Sequence, residues 1–296
     1  MNDVSHSVLT NRKLKILFWF LTALGSSVIV WKFIGSQDQP MENKILYVFG
    51  TFLAGAGLFR LIRKKSSDEG LNLWAQEAIE WSDTGISAVL LAFVIMSFVV
   101  QAFKIPSSSM VPTLQIGDHL FVNKFIYGTH LPFTMKRLWK FKDVKRFDVV
   151  VFLCPPAALS EEDKLEHVQK DFIKRAIGLP GDMIQIKDKA LYINGELAVD
   201  AHAYFMHAVT YPKAELWPED GSYQKSWQAG EFTRMPVDAV RDNFGPIKVP
   251  DHTYFVMGDN RDGSFDSRFW GPLPENYLKG RAWRVYWPFS RFQTIH

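Results

Sequence analysis

Ala190-Leu191-Tyr192-Ile193-Asn194-Gly195-Glu196-Leu197-Ala198 reads as a β-hairpin. Two short runs with apolar alternation flank Asn194-Gly195, and both turn positions tolerate the positive φ that a two-residue hairpin turn demands. Working outward, the whole chain from Lys104 onward repeats this theme. Short stretches rich in β-branched and aromatic residues alternate with turn-formers, and no long amphipathic helix is evident. The predicted strands are 118–127, 147–153, 171–177, 183–187, 190–194, 253–257 and 281–287. The charged stretch 160–170 reads as a solvated loop or short helix. Residues 200–248 keep no sustained period and are expected to form a smaller β lobe inserted into the main unit.

Before Lys104 the character changes. Residues 16–31 are almost wholly apolar between Lys15 and Lys32, and Phe33 and Ile34 extend the run to 16–34, close to the roughly 20 residues that cross a bilayer as helix. A cleaved signal peptide is the competing reading of this run, which its length and a second apolar run directly after it disfavour. Residues 45–61 form that second run, rich in small residues, and 86–103 form a third that carries no charge. Arg12, Lys13 and Lys15 precede the first run, and Arg60, Arg63, Lys64 and Lys65 close the second, so both ends belong inside. The expectation is a three-helix anchor over 1–103 with a cytoplasmic N-terminus, and an outward-facing domain over 104–296. The predicted fold class is therefore N-terminal transmembrane helices followed by a mainly-β catalytic domain with a smaller inserted β lobe.

Composition removes some functions. A net charge of +3 over 296 residues, without a basic stripe interleaved with aromatics, argues against nucleic-acid binding. The single cysteine, Cys154, follows an apolar run and reads as a buried thiol. The eight histidines are scattered, with neither a His-Glu-x-x-His zinc motif nor a Gly-x-Ser-x-Gly elbow, so no metal or organic cofactor is indicated.

What remains for chemistry is Ile105-Pro106-Ser107-Ser108-Ser109-Met110-Val111-Pro112, three hydroxyls between two prolines that hold the chain extended. Nothing in the spacing selects one hydroxyl, and hydroxyl clusters are usually loop. A serine nucleophile needs a base. In Asp171-Phe172-Ile173-Lys174-Arg175-Ala176-Ile177, strand alternation puts Lys174 on an apolar face with Phe172 and Ala176, with Arg175 pointing the other way. A free lysine titrates near about 10.4, so a neutral-pH base requires burial to lower it at a cost of about 3 to 4 kcal/mol. Position alone favours an ordinary lysine snorkelling from a strand edge. The dense polar loop Gly258-Asp259-Asn260-Arg261-Asp262-Gly263-Ser264-Phe265-Asp266-Ser267-Arg268, directly after an apolar strand, is the kind of loop that supports a site. Ser222-Tyr223-Gln224-Lys225 matches the Ser-x-x-Lys of penicillin-binding enzymes but lacks their companion motifs.

Taken in order, the 106–114 segment, Gly117-Asp118, Phe147-Asp148-Val149-Val150, the 174–182 segment and the 258–268 loop resemble the motifs of the type I signal peptidases, the bacterial leader peptidases. The resemblance implies a β-rich core with a Ser-Lys dyad that cleaves signal peptides after small residues in an Ala-x-Ala pattern. It implies Ser109 as nucleophile and Lys174 as base, with Ser107 donating to the oxyanion hole beside the Ser109 N–H. Ser264 would orient the Lys174 amine, and Asp266 with Arg268 would brace the loop. Ile105, Pro106, Met110, Phe172 and Ile173 would line shallow pockets for small side chains. The implied partners are secretory pre-proteins, membrane lipid and a nearby protein translocation channel. The implied location is the bacterial inner membrane, multi-pass, with the catalytic domain periplasmic. The sequence departs from the family in Ser108, where glycine is common, and in having three expected spans rather than two.

Overall fold

A computed structural model describes residues 99–130, 137–138, 140–166, 170–212 and 222–296. The expected spans 16–34 and 45–61 lie outside the described residues, as does most of 86–103. Among the described residues no helix is long and apolar enough to cross a membrane.

In chain order the strands are β1 (Val100–Lys104), β2 (His119–Asn123), β3 (Thr129–His130), β4 (Arg137–Leu138), β5 (Val149–Leu153), β6 (Asp171–Gly178), β7 (Met183–Lys187), β8 (Ala190–Ile193), β9 (Glu196–Leu197), β10 (Phe244–Lys248), β11 (Thr253–Met257), β12 (Leu273–Pro274), β13 (Leu278–Trp287) and β14 (Gln293–Thr294). The main sheet runs β1-β2-β13-β5-β6-β11-β12, with β14 also pairing β13, and every pairing in it is antiparallel. A second sheet runs β10-β7-β8-β9. The Asn194-Gly195 turn forms as expected: both residues have positive φ, and Ile193 pairs Glu196 across it.

Two expectations need correction. The third apolar run was expected to remain helical to Phe103, but Val100–Lys104 is strand, in register with β2 from Val100↔Asn123 to Lys104↔His119. Its Val, Phe and alternating polar residues suit a pleated surface, and hydropathy alone cannot separate such a run from the end of a helix. The second correction concerns the inserted 200–248 segment. Its only named strand among the described residues is β10, and the rest of its regular structure is helical, over Ser222–Gln228, Glu231–Arg234 and Val237–Arg241. The second sheet instead draws β7, β8 and β9 from chain expected in the main unit. Tyr223 and Trp227, four residues apart, turn one helical face onto Phe232, Phe244 and Phe255, and that buried aromatic contact overrides the weak local pattern.

The strand that positions the site is β6. It lies between β5 and β11, with Val150↔Lys174 on one side and Met257↔Arg175 on the other. Because side chains alternate, Ile173 packs with Met110 and Val149, whereas Ala176 packs with Val150, Phe152 and Val256. Both faces are covered, which is why Lys174 and Arg175, although they point oppositely, are both buried.

Candidate active site

Two elements converge on one point. The turn at 107–114 brings Ser109 to 7 % exposure, and β6 brings Lys174 to 5 %. The Lys174 Nζ lies 2.7 Å from the Ser109 Oγ. The Ser107 Oγ is 3.4 Å from that of Ser109, with Ser107 itself exposed. Among the described residues the Ser109 N–H donates to no other group.

Burial is the main reason the Lys174 amine is held down, from 10.5 to about 8, and the nearby Arg268 charge pushes the same way; Asp266 and Asp259 oppose it. Desolvation wins because no carboxylate bonds the amine directly. The side chain passes over the Phe172 ring, with Nζ 5.6 Å from its centroid. A neutral lysine within hydrogen-bond reach of a serine hydroxyl can accept its proton.

The 258–268 loop wraps the back of this pair. Gly258 follows β11 so closely against the 107–114 turn that a Cβ there would collide with the Ser109 carbonyl oxygen and with the Ser264 side chain. Asn260 donates its N–H to the Ser109 carbonyl at 3.1 Å and its Nδ2 to the Ser108 carbonyl at 3.2 Å. Asp266 accepts from the Gly258 N–H at 3.0 Å and holds Arg268 through two bonds of 2.9 Å. Arg268 in turn donates to the carbonyls of Arg261 and Arg241. Burial alone would raise the Asp266 carboxyl, but the Arg268 charge and hydrogen bonds, with the Gly258 N–H, hold it below the usual carboxylate range.

Ser264 differs from the expectation. Its Oγ is buried beside Gly258 and its polar neighbour is Asp266, whose carboxyl it helps hold down, so no bond from it orients the Lys174 amine. Of the five residues expected to line pockets, Ile105 and Met110 are closed to solvent in the core, at 2 % and 0 %; Pro106, Phe172 and Ile173 keep surface.

Several supporting residues carried no assigned role in the sequence. Arg175 and Asp259, both fully buried, form a two-bond ion pair at 2.7 Å per bond. Thr113 donates to the same carboxylate at 2.5 Å, so the 107–114 turn, the β6 strand and the polar loop meet at one charge pair. Arg261 likewise pairs with Asp200. The adjacency of Arg175 to Lys174 was the one available signal, since an arginine flanking a strand lysine on the covered opposite face needs a buried anion. Cys154 is buried and its thiol is pushed up to about 12, chiefly by burial, which disfavours the reactive thiolate. Among the described residues no group of three or more His, Cys, Asp or Glu is placed to hold a metal ion.

Comparison with known proteins identifies the family. The family described as signal peptidase, peptidase S26, matches residues 78–287. Signal peptidase I of Pseudomonas fluorescens is 36 % identical over 230 residues, covering 73 % of this chain and 76 % of that protein. A probable signal peptidase I-2 of Synechocystis is 35 % identical over 234 residues, covering 79 % and 83 %. Signal peptidase I of Pseudomonas aeruginosa is 34 % identical over 244 residues, covering 74 % and 79 %. The family match takes in the 107–114 turn, β6 and the polar loop together, and the chain belongs to the signal peptidase family, peptidase S26, on its bacterial type I branch.

Proposed function

We propose that this serine endopeptidase removes signal peptides from secretory pre-proteins after small residues in an Ala-x-Ala pattern, with Ser109 as nucleophile and a neutral Lys174 as general base. The observation that carries the reading is the 2.7 Å contact between a nearly buried hydroxyl and a buried amine whose pKa is lowered to about 8.

In the acylation step the Ser109 Oγ attacks the scissile carbonyl carbon and its proton passes to Lys174 Nζ. The Ser109 N–H and the Ser107 hydroxyl are the donors for the oxygen that becomes negative. The Lys174 ammonium then gives its proton to the departing amine nitrogen as the C–N bond breaks, leaving an ester on Ser109. Neutral again, Lys174 takes a proton from water as that water attacks the ester carbonyl, and the ammonium then returns the proton to Ser109 Oγ as the ester C–O bond breaks, releasing the acid and restoring both residues.

Substrate presentation follows from the edge of β6. β11 pairs it only as far as Met257↔Arg175, so Asp171–Ile173 extend beyond that partner. A substrate strand added beside Phe172 and Ile173 would extend the sheet at that edge, and pockets at Pro106, Phe172 and Ile173 would admit alternate small side chains. The 1–103 segment, with its three apolar runs and flanking positive charge, would anchor the enzyme in the bacterial inner membrane and put the 104–296 domain on its outer face, near membrane lipid and the translocation channel. Asp266 and Arg268 would serve to hold the loop that fixes Ser109. Ser264 would turn its hydroxyl to the Lys174 amine once substrate is bound.

The test is processing of a pre-protein with an Ala-x-Ala site by the purified full chain in detergent. Wild type should cut after the second small residue, whereas Ser109→Ala and Lys174→Met should each lose at least about a thousandfold in turnover. Cleavage by either variant at the wild-type rate would refute the dyad.

A further inference from the structure

The two peptide groups that flank Ser109 are held by a single residue of the polar loop. A trans peptide is planar, with its C=O and N–H pointing to opposite sides, so whatever anchors the carbonyl of residue 108 also aims the N–H of residue 109. Asn260 Nδ2 donates to the Ser108 carbonyl at 3.2 Å, alongside the Val111 N–H at 3.1 Å. The Asn260 backbone N–H donates to the Ser109 carbonyl at 3.1 Å and so fixes the next peptide plane. The side-chain amide has its own orientation set, because its Oδ1 accepts from the Gly263 N–H at 3.1 Å. Asn260 is 1 % exposed, so solvent does not compete for these bonds.

Asn260 is clamped in turn from the inserted segment. Tyr204 bridges it in parallel: the Tyr204 N–H donates to the Asp259 carbonyl at 2.7 Å, and the Arg261 N–H donates to the Tyr204 carbonyl at 2.8 Å. Two residues on, the Met206 Sδ lies 3.7 Å from Asn260 Nδ2.

We infer that Asn260 is a positioning residue for the nucleophile, aiming the Ser109 N–H at the developing oxyanion, and that the strap 203–206 holds Asn260 in place. The inference rests on Ser109 being the nucleophile. It assigns the inserted segment a part in catalysis, since without the strap the amide of Asn260 loses its outer wall.

The role predicts loss in the transition state rather than in substrate binding. Asn260→Asp keeps the size and the acceptor for Gly263 but removes the donor to Ser108; Asn260→Ala removes both; Met206→Ala, at the exposed surface, loosens the amide without opening the interior. The full chain in detergent is measured for kcat and KM on a pre-protein. Affinity is measured for a peptide aldehyde, which closes to a tetrahedral adduct on Ser109, and for the matching unreactive peptide. Asn260→Asp and Asn260→Ala are expected to lower kcat roughly 10- to 100-fold with KM within about twofold of wild type. Aldehyde affinity should fall by the same factor as kcat/KM, the unreactive peptide should bind as before, and Met206→Ala should show the same split with a smaller loss. Wild-type kcat in the Asn260 variants, or an equal loss of affinity for aldehyde and unreactive peptide, would overturn the inference. An aldehyde that does not bind wild type would instead overturn the assignment of Ser109.

Discussion

Replacing Lys174 by methionine should stabilise the protein at neutral pH and lose that advantage in alkali. The amine is 5 % exposed and its pKa falls from 10.5 to about 8 on folding, first through burial and then through the Arg268 charge. A base whose pKa is lowered in the folded state binds fewer protons there than in the unfolded chain, so stability rises with pH between the two values. Below about 8 the charged amine is held in a site that disfavours it, and the penalty is constant and largest. At about 1.4 kcal/mol per pKa unit, the difference between 10.5 and about 8 is about 3 kcal/mol. Methionine fills similar space without a charge, and loses about 1 kcal/mol of hydrogen bonding to Ser109. The net expectation is a variant more stable than wild type by about 2 kcal/mol near pH 7, with the gap closing or reversing near pH 10. Urea unfolding of both proteins in the same detergent, followed by tryptophan fluorescence at the two pH values, isolates the Lys174 contribution because other titrations cancel. Wild-type kcat/KM should rise roughly tenfold per pH unit up to about 8 and then level. A stability gap that does not change with pH, or an activity profile flat across that range, would refute the claim that Lys174 works as a neutral base made so by burial.

Ser107→Ala should lower kcat by about 10²-fold with little change in KM, and Ser107→Thr should restore most of it; steady-state kinetics on a pre-protein checks both. Gly258→Ala forces a Cβ against the Ser109 carbonyl and the Ser264 side chain, so turnover should fall by roughly 10²-fold alongside a lowered unfolding midpoint. Asp259→Ala strands the buried Arg175 charge and should cost about 3 to 5 kcal/mol in urea unfolding; Arg175→Met added to it should recover part of that loss.

Much of the strand content was legible because it is local. Residues 183–187 and 253–257 became β7 and β11 with the bounds expected, since their β-branched runs end at clear turn signals. The Asn194-Gly195 hairpin needed only two residues with permitted positive φ. The end of the third apolar run was misread because Val100 to Lys104 owes its strand state to β2, about twenty residues further along, and hydropathy does not see a pairing partner. The helix at Ser222–Gln228 was missed for a related reason: its Tyr223 and Trp227 stripe spans only two turns, too short for a periodic signal, and is stabilised by aromatic partners from elsewhere in the chain. In the site, residue types pointed to Ser109 and Lys174 only together with a family resemblance. The bonds that hold them, such as Thr113 to Asp259 and Arg175 to Asp259, join residues 146 and 84 positions apart, and no local pattern encodes such pairings.

The surroundings of the lysine give a reason for so many buried charges in one loop. Among the described residues four cations are buried: Lys174, Arg175, Arg261 and Arg268. Three have a carboxylate each, Asp259 for Arg175, Asp200 for Arg261 and Asp266 for Arg268. Lys174 has none, and that asymmetry leaves its amine free to lose its proton near neutral pH, as the proposed role requires. A carboxylate bonded to the amine would hold it protonated, as bonding to Asp163 raises the pKa of the exposed Lys170. Asp266 is close enough to raise the Lys174 pKa, yet both of its oxygens are engaged by the Arg268 guanidinium, and the arginine charge acts on Lys174 in the opposite sense. An arginine suits this task better than a second lysine because its planar fork occupies both carboxylate oxygens at once and it does not titrate in the working range. The loop therefore brings a carboxylate near Lys174, where its bonds to the Gly258 N–H and the Arg268 guanidinium brace the turn that carries Ser109, while denying that carboxylate to the amine.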